Sequence, residues 1–497
     1  MSRIISRIAT DYTSKTDAFP YQLQAFLTVR DLDYSAILHE QGLGKTKIAV
    51  DLMLYWLKHR DIDTVMVVTK KQLVRNWENE LAVHTHIKPK VLSSNKGDNF
   101  YVLNSAAKVI IANFEALSTD KERVKWFLKC RNVAIIIDES TKLKNPDAQL
   151  TKDFFELSPL FKIRTIMTGT PVANRPYDIW AQIYFLDRGK SLGADFAEFK
   201  RNTDLSNKLG NDREARELFE LTVSGIFQKI SDFTVRETKK SCAIALPQKI
   251  YESVFTDFEP LQYRMYRTVL HELEIEVKRD GEDIVDDDSV ALKRLLRLLQ
   301  ITSNPKLLHE TYTAVSGKEQ ELESRLEEIC SVGDKCIVWS NFIDNIDHFC
   351  DKFKCYNPCK IHGSMTIEDR NSSVEKFKKD GSCMVLFATP QAAKEGLTLT
   401  VANHVIFYDR GFNLDDYLQA QDRIHRISQK KTCYIHNIIM NESIDEWVDV
   451  LLKSKQNAAF LAQGDISLSE YKDVADYSFG DLINAILFPE QEEFDYE

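Results

Sequence analysis

The sequence predicts an α/β protein with two lobes, each a parallel sheet covered by helices, and a helical region between them. Short apolar runs rich in valine and isoleucine alternate with helical patterns along the 497 residues. Polar or glycine-containing turns follow these runs, as is typical of strands buried on both faces of a parallel sheet. The runs form two groups, one ending near Thr170 and one starting near Lys335, which indicates two sheets. The predicted strands are 36–38, 64–68, 109–112, 133–137, 165–168, 336–339, 384–388 and 404–408.

The segment between the two groups of strands is mostly helical in pattern and heavily charged. We therefore predict lobe one at residues 1–235, with a helical protrusion over about 177–235. Lobe two is predicted at 236–497, with a helical linker over about 255–330 and C-terminal brace helices over about 443–486. The brace begins with a capping-box pattern at Ser443 and Glu446, and its apolar positions are 444, 447, 448, 451 and 452.

The formal net charge is −10, from 65 Lys+Arg against 75 Asp+Glu, which by itself disfavours a nucleic-acid partner. The acids are clustered, however, with six between Asp280 and Asp288 and five among the last eight residues. These acids outnumber the whole deficit, so the rest of the chain is close to neutral and can carry basic surfaces. A solvated loop and a frayed terminus explain both runs. The alternatives are a mimic of nucleic-acid charge, which would inhibit binding if the loop folded over a nucleic-acid track, and a partner-binding tail.

Nine cysteines are scattered along the chain, the N-terminus lacks an apolar signal core, and no apolar run approaches the ~18 residues of a membrane span. We therefore expect free thiols, no membrane partner and a cytoplasmic location, which is the host cytoplasm if the source is viral. One cluster, Cys350, Cys355, Cys359 and His362, contains residues that can bind zinc. Its spacing matches no common zinc pattern, so zinc is the lesser alternative.

The strongest functional signal is the segment 39–46, HEQGLGKT, which follows a predicted strand and precedes a helical pattern. Together a strand, a glycine-rich loop and a helix N-terminus form a phosphate cradle, because loop N–H groups and the helix dipole face the anion. Gly42 and Gly44 allow close backbone approach. Lys45 would reach the β- and γ-phosphates, and the Thr46 hydroxyl would bind Mg²⁺.

A second element supports the phosphate cradle, since the apolar strand 133–137 runs directly into Asp138 and Glu139. Asp138 would hold Mg²⁺ through water, and Glu139 would polarise the attacking water. The alternative, a surface Asp-Glu pair at the end of an ordinary strand, is disfavoured by the glycine-rich loop upstream.

A third element is a polar stripe near the C-terminus. Its residues Gln419, Asp422, Arg423 and Arg426 recur at i, i+3, i+4 and i+7, which predicts one helical face. From such a face Arg423 and Arg426 could neutralise the γ-phosphate as arginine fingers. Taken alone, the stripe fits an exposed, salt-bridged helix equally well.

Taken in order, these and further segments resemble the Swi/Snf-type ATPases of helicase superfamily two, in the compact version carried by phages. The resemblance runs from about Phe19 to Lys453, and the ordered set is far more specific than any single motif. The matching segments are 20–24, 40–46, 73–77, 113–117, 138–139 with 144–146, 168–171, 295–307, 362–364, 396–400 and 419–429.

The resemblance implies two RecA-like lobes that close around ATP and Mg²⁺. The implied catalytic residues are Lys45, Asp138, Glu139, Arg423 and Arg426, with Thr46 and Asp138 as metal ligands. The implied nucleotide-binding residues are Gln22 at the adenine, Gly42, Leu43, Gly44, Lys45, Thr46, Gly396 and Gln419.

The resemblance also implies an ATP-dependent helicase or translocase that acts as a monomer on double-stranded, forked or junction DNA. Unwinding or branch migration in recombination, repair or replication would be its task. The alternative is a duplex-DNA translocase that strips or remodels protein–DNA complexes without separating strands. Trp77 and Trp339 are predicted core residues, and the predicted phosphate contacts are Lys70, Lys71, Arg75, Ser340, Asn341 and Ser364.

Three positions depart from the family's pattern. Ser140-Thr141 replaces Ala-His or Gly-His, which removes the family's histidine contact, although a hydroxyl can still hydrogen-bond across to segment 168–171. Thr398 stands where asparagine is usual, and Phe19 where arginine often precedes the proline. None of these changes removes a group that would touch phosphate or metal.

Overall fold

The computed structural model describes residues 10–172, 174–204, 213–239, 241–242, 246–280, 289–392, 397–426 and 428–472. Gly396, the acidic run after Asp280 and the acidic tail lie outside these described residues. The chain forms two compact units. The first comprises Met1–Thr203, Ser224–Ile244 and Ala462–Gly464, and the second comprises Asp204–Val223, Ala245–Leu461 and Asp465–Glu497.

Lobe one contains a seven-stranded sheet. Its strands are β1 (Tyr34–Ile37), β2 (Thr64–Thr69), β3 (Lys90–Leu92), β4 (Val109–Asn113), β5 (Val133–Asp138), β6 (Ile163–Met167) and β7 (Thr234–Val235). They lie in the order β3-β4-β2-β5-β6-β1-β7, and all neighbours are parallel. Strands β2 and β4 are buried at every position, as their Val- and Ile-rich sequences predict for a sheet covered on both faces.

Helices alternate with these strands along the chain. They are α1 (Pro20–Val29), α2 (Lys45–His59), α3 (Val74–His84), α4 (Lys96–Leu103), α5 (Phe114–Thr119), α6 (Lys121–Cys130), α7 (Gln149–Leu157), α8 (Trp180–Asp187), α9 (Phe196–Thr203) and α11 (Ile226–Ile230). Helix α10 (Arg213–Ser224), which lies between α9 and α11 in the chain, belongs to the second unit except for its last residue. Because the strands are parallel, the loops after β1, β2, β4, β5 and β6 all leave the sheet at its carboxyl edge, where open α/β sheets bind ligands.

Lobe two contains a six-stranded parallel sheet in the order β10-β11-β9-β12-β13-β8. Its strands are β8 (Lys249–Thr256), β9 (Cys336–Trp339), β10 (Cys359–Ile361), β11 (Val385–Ala388), β12 (His404–Phe407) and β13 (Cys433–Met440). Its helices are α12 (Pro260–Asp280), α13 (Ser289–Ser303), α14 (Gly317–Ser331), α15 (Ile343–Lys352), α16 (Ile367–Lys379), α17 (Leu414–Gln421), α18 (Ile444–Gln463) and α19 (Leu468–Lys472).

The structure confirms the predicted fold class, two α/β lobes with parallel sheets flanked by helices. All eight predicted strands are present, with ends that differ by at most two residues. The prediction missed β3, β7, β8, β10 and β13. Three of these are only two or three residues long, and β8 is an edge strand that exposes Tyr251 and Phe255.

The brace helix begins where the sequence predicts, although its capping contacts differ. The Ser443 hydroxyl accepts from the Asp445 N–H, and the Glu446 carboxylate accepts from the Glu442 N–H. Ile444, Val448, Leu451 and Leu452 are buried, as the amphipathic pattern predicts. Within the described residues, no helix combines the length and the apolar character that a membrane crossing requires.

Candidate active site

The phosphate loop of lobe one connects β1 to α2. Gly42 and Gly44 have φ angles of 86° and 68°, in the left-handed region that favours glycine. A side chain at Gly44 is also excluded by space, because its Cβ would lie 2.4 Å from Gln22 Nε2. Gln22 Nε2 and the Tyr21 hydroxyl both donate to the Leu43 carbonyl, at 3.2 and 3.1 Å. Helix α1 therefore holds the loop from one side.

Lys45 lies in the first turn of α2 and folds back over the loop. Its ammonium donates to the carbonyls of His39 and Glu40 at 3.0 and 3.3 Å. The His39 ring is fully buried, and burial together with the Lys45 charge lowers the pKa of His39 to about 4. Neutral His39 thus adds no charge to the site, and the cationic group of the loop is Lys45. Thr46 follows it, partly buried.

The two carboxylates at the end of β5 differ in their surroundings. Asp138 Oδ2 accepts from the Trp77 indole N–H at 2.8 Å and from the Thr69 hydroxyl at 3.2 Å. Burial and the neighbouring Glu139 carboxylate raise the pKa of Asp138 to about 6. The sequence predicted Trp77 only as a core residue, which is confirmed by its 1% exposure. Its second role, as a donor to Asp138, carries no signal in the sequence.

Glu139 adopts a left-handed backbone conformation, with φ 57° and ψ 53°. A non-glycine residue in this region is strained and persists only where its surroundings hold it, as at active sites. Its Oε2 atom is buried and has no hydrogen-bonding partner among the described residues. An unsatisfied carboxylate oxygen beside Asp138 is suited to accept a proton from water.

The geometry of lobe one fits a nucleotide with Mg²⁺. The left-handed glycines open the loop, the N-terminus of α2 points its N–H groups into it, and Lys45 supplies a cation. Asp138 and Thr46 offer the oxygen ligands that Mg²⁺ prefers. The unpartnered oxygen of Glu139 adds a group that can accept the proton of the attacking water.

Gln22, the predicted adenine reader, is nearly fully buried. Its Oε1 accepts from the Phe19 N–H at 2.9 Å, and this contact caps the start of α1. Gln22 therefore caps α1 with its Oε1 and links α1 to the phosphate loop with its Nε2, which donates to the Leu43 carbonyl.

In lobe two Arg423 and Arg426 lie just after α17 and not on the helix that the sequence predicts. Helix α17 ends at Gln421, so the prediction that Gln419, Asp422, Arg423 and Arg426 share one helical face is wrong. After Gln421 the N–H groups of Arg423 and Ile424 donate to carbonyls three residues back, as in a turn, and the Arg423 carbonyl accepts from the Leu399 N–H at 2.9 Å. Each arginine side chain nevertheless bends back to the residue four positions earlier. Arg423 Nε donates to the Gln419 carbonyl at 3.0 Å, and Arg426 Nε donates to the Asp422 carbonyl at 3.1 Å.

Thr398, one of the departures from the family's pattern, contacts the second arginine. Arg426 Nη1 donates to the Thr398 hydroxyl at 2.9 Å. Arg423 Nη1 donates to the Leu397 carbonyl at 3.4 Å, so segment 397–398 supports both guanidinium groups. Arg423 is 2% exposed, whereas Arg426 is partly exposed.

A cavity of ≈ 660 Å³ lies in lobe one, where β2 and β4 end, and four lysines and two acidic residues are part of its lining. Its lining includes Lys70 and Lys71, as well as Lys96 and Lys142, which sequence reasoning did not identify. Arg75 is exposed nearby in α3. These positions satisfy the exposure that a phosphate contact needs.

The predicted phosphate contacts of lobe two are only partly accessible. Asn341 and Ser364 are exposed. Ser340 is fully buried, and its hydroxyl donates to Asp409 at 2.5 Å, so the prediction that it contacts phosphate is wrong. Trp339 is a core residue, as predicted.

The alternative zinc site finds no support in the described residues, among which no group of three or more His, Cys, Asp or Glu side chains could hold a metal. Cys359 Sγ instead lies 3.6 Å from Cys383 Sγ in the core of lobe two. Cys355 is exposed.

Comparison with known proteins gives matches along most of the chain. An uncharacterized ATP-dependent helicase of Mycoplasma pneumoniae is 30% identical over 465 residues, which cover 90% of this chain and 42% of that protein. A putative ATP-dependent helicase/translocase of Bacillus subtilis is 28% identical over 466 residues, with coverage of 88% and 48%. A RAD54-like DNA repair and recombination protein of Gallus gallus is 26% identical over 458 residues, with coverage of 82% and 61%. The chain thus spans less than half the length of the first two relatives.

Two family models match in succession. The helicase conserved C-terminal domain matches residues 320–428, which include β9 to β12 and both arginines. The SNF2-related domain matches residues 26–307, from α1 to the end of the segment after α13. Since this model covers more than half of the 497 residues and contains the phosphate loop and both carboxylates, the chain belongs to the SNF2-related family.

Proposed function

We propose that the protein is a DNA-dependent ATPase that uses ATP and Mg²⁺ to move along DNA. The observation that carries the proposal is the pairing, within lobe one, of a left-handed glycine phosphate loop with a strained, partly unpartnered carboxylate at the end of β5. Family membership and the ATP-dependent helicase names of the relatives support it.

In this mechanism lobe one binds the nucleotide phosphates and activates the attacking water. The N–H groups of the loop from Gly42 to Gly44 and the Lys45 ammonium bind the phosphates, exchanging the carbonyl contacts of Lys45 for phosphate oxygens. Thr46 and Asp138 would hold Mg²⁺, which when bound neutralises charge on the β- and γ-phosphate oxygens. Glu139 Oε2 accepts the proton of the attacking water.

Lobe two supplies the remaining charge. Arg423 and Arg426 act as arginine fingers when the lobes close around ATP, with Gln419 and Gly396 beside the nucleotide. Gln22 would recognise the adenine. Each cycle of closure and reopening moves the lobes one step along DNA. A nucleotide switch with little turnover is the less favoured reading, because the base, the phosphate lysine and both arginines are all present.

DNA would bind by its phosphates. Lys70, Lys71 and Arg75 in lobe one and Asn341 and Ser364 in lobe two follow strands of the two sheets, and contacts to phosphate make binding independent of sequence and sensitive to salt. The four lysines in the lining of the lobe-one cavity, Lys70, Lys71, Lys96 and Lys142, support this assignment. We propose that one copy of the chain acts on one DNA molecule.

The preferred DNA is proposed to be double-stranded, forked or junction DNA, with unwinding or branch migration in recombination, repair or replication. The RAD54-like relative, named for DNA repair and recombination, favours that setting. The second candidate is a duplex translocase that remodels protein–DNA complexes without strand separation, and it is supported by the helicase/translocase name of the Bacillus relative.

One experiment separates these candidates. ATP hydrolysis and strand release are measured side by side on single-stranded, duplex, forked and four-way-junction DNA. Stimulated hydrolysis with strand release on forks or junctions supports the first candidate, and stimulation by duplex without strand release supports the second. Hydrolysis that no DNA form and no RNA stimulates contradicts the motor, as does wild-type turnover in Lys45→Ala or Glu139→Gln.

A further inference from the structure

We infer that Gln182, in the first turn of α8, is a positioning residue that ties the carboxylate segment after β5 to the loop after β6. The inference rests on the proposed function, because it explains how the proposed base Glu139 is held. It names a link from Ser140 to a side chain of a third element, α8.

The link consists of three hydrogen bonds. Ser140, the residue directly after Glu139, donates its hydroxyl proton to Gln182 Oε1 at 2.7 Å. Gln182 Nε2 donates to the Pro171 carbonyl at 2.8 Å and to the Asp178 carbonyl at 2.8 Å. Ser140 and Gln182 are both fully buried, so water does not compete for these groups. One amide side chain therefore bonds both the carboxylate segment after β5, at Ser140, and the loop after β6, at Pro171.

A second contact, between Lys144 and Asp178, joins the segment after β5 to the residues just before α8. The Lys144 ammonium lies 3.7 Å from the Asp178 carboxylate. The same Asp178 carboxylate accepts from the backbone N–H groups of Asn174 and Arg175, at 2.8 and 3.3 Å. The segment from Ser140 to Lys144 and the loop after β6 are therefore both fastened to residues 178–182.

The loop after β6 in turn touches the phosphate loop. A Cβ at Gly169 would lie 2.4 Å from Gln41 Cγ and 3.2 Å from Lys45 Nζ, so these segments are already in contact. A displacement at Glu139 can thus pass through Ser140, Gln182 and Pro171 to the neighbourhood of Lys45.

Glu139 requires such a support. Its left-handed backbone is strained for a residue with a side chain, and its Oε2 has no partner among the described residues to fix it. Ser140 is the first residue after it with an anchored side chain. Removing the anchor releases the strain and moves the carboxylate, and a displacement of about 1 Å at a catalytic group costs on the order of 10²-fold in rate.

A purely structural hydrogen bond is the competing explanation, and the chain offers a matched control for it. Ser158 is also buried, and its hydroxyl donates to a carbonyl of the same helix, Phe185, at 2.7 Å. Ser158→Ala removes a bond of the same kind to α8 without touching the carboxylate segment.

The experiment compares Ser140→Ala, Gln182→Leu, the double variant and Ser158→Ala in the full chain with saturating DNA. For the first three we expect kcat to fall by about 10- to 100-fold while KM for ATP stays within about threefold, since phosphate binding by Lys45 is retained. The double variant should be no slower than Gln182→Leu, because both changes break one link. Ser158→Ala should retain kcat within about twofold.

Hydrogen–deuterium exchange of the nucleotide-free variants tests the link without catalysis. Gln182→Leu should speed exchange in peptides covering both 140–144 and 174–178, whereas Ser158→Ala should leave both unchanged. Unchanged exchange in either peptide overturns the inference, as do additive losses in the double variant or equal changes in kcat and KM. If the wild-type chain shows no Lys45-dependent hydrolysis, the proposed function fails, and the exchange data still decide whether Gln182 joins the two segments.

Discussion

Trp77→Phe should shift the pH dependence of Mg²⁺-dependent ATP hydrolysis, because it removes a hydrogen bond to the Asp138 carboxylate. The substitution keeps an aromatic ring in the buried site but removes the indole N–H that donates to Asp138 at 2.8 Å. A hydrogen bond to a charged group contributes about 1.5–3 kcal/mol, and one pKa unit corresponds to about 1.36 kcal/mol. The remaining donor, Thr69, is more distant, at 3.2 Å. The pKa of Asp138, about 6 in the wild type, should therefore rise by roughly 1–2 units.

The sign of the effect follows from which form binds the metal. Mg²⁺ needs the carboxylate, and with a pKa of about 6 most Asp138 is ionised at pH 7. In Trp77→Phe half or less is ionised at that pH, so Mg²⁺ binding weakens there and recovers in more alkaline solution. Because the folded-state pKa lies above the unfolded value, the same group also lowers stability as pH rises from about 4 to about 6. In Trp77→Phe that decline should extend to about pH 7–8.

The assay is ATP hydrolysis at limiting Mg²⁺ between pH 5 and 9, analysed as kcat/KM for the metal, which reports the pKa of the free enzyme. The acid limb should move upward by roughly 1–2 units in Trp77→Phe. Trp56→Phe is the matched control, since Trp56 is equally buried and donates at 3.0 Å to the Arg30 carbonyl, away from the carboxylates. An acid limb at the wild-type position in Trp77→Phe, or an equal shift in both variants, would refute the reasoning.

Three further substitutions test other contacts. Gly44→Ala places a side chain at φ 68° and 2.4 Å from Gln22 Nε2, so it should cost about 1–3 kcal/mol in thermal unfolding and abolish binding of a fluorescent ATP analogue; wild-type binding would contradict the cradle. Thr398→Val removes the acceptor of Arg426 at similar size and should lower kcat about tenfold with unchanged ATP affinity, whereas a loss of affinity would place Arg426 in ground-state binding. Lys71→Ala should reduce the slope of log affinity for DNA against log salt by about 0.9, and an unchanged slope would exclude a phosphate contact.

The sequence predicted best those features whose causes are local. The strands β2, β4 and β5 are continuous apolar runs, and the phosphate loop combines a strand, glycines and a helix start within a few residues. The apolar residues that bury a strand on both faces are the residues of that strand, and the backbone freedom that the loop needs belongs to Gly42 and Gly44 themselves. For these features a short window of sequence contains the physical cause.

The features that were missed or misjudged depend on residues far apart in the chain. Ser340 follows a strand as a phosphate contact would, but its hydroxyl is taken by Asp409, 69 residues later. Trp77 and Asp138 are separated by 61 residues, so nothing near Trp77 indicates a polar role for its indole. The helical spacing of polar residues continues in the sequence as far as Arg426, but the helix itself ends at Gln421. Beyond that point the Arg423 carbonyl pairs with the Leu399 N–H, which lies 24 residues earlier in the chain.

Several side chains of the proposed active site are already held within their own lobes. Lys45 is held by loop carbonyls and Asp138 by Trp77, while Arg423 donates to the carbonyls of Gln419 and Leu397. Binding ATP in lobe one therefore requires mainly that Lys45 exchange its carbonyl contacts for phosphate oxygens. What lobe one lacks for fast hydrolysis is the charge that an arginine finger supplies, a contribution of about 10³-fold or more in kcat.

We therefore expect duplex DNA to act on kcat rather than on KM for ATP. A DNA molecule that favours closure of the lobes brings the arginines to ATP that is already bound, so kcat should rise by at least about tenfold while KM stays within about threefold. Steady-state hydrolysis with and without DNA measures both constants, and Arg426→Ala should bind ATP normally but lose the stimulation. If DNA instead lowers KM at constant kcat, then DNA builds the nucleotide site of lobe one, and the arrangement of the phosphate loop and Asp138 seen in lobe one alone is not the one that binds ATP.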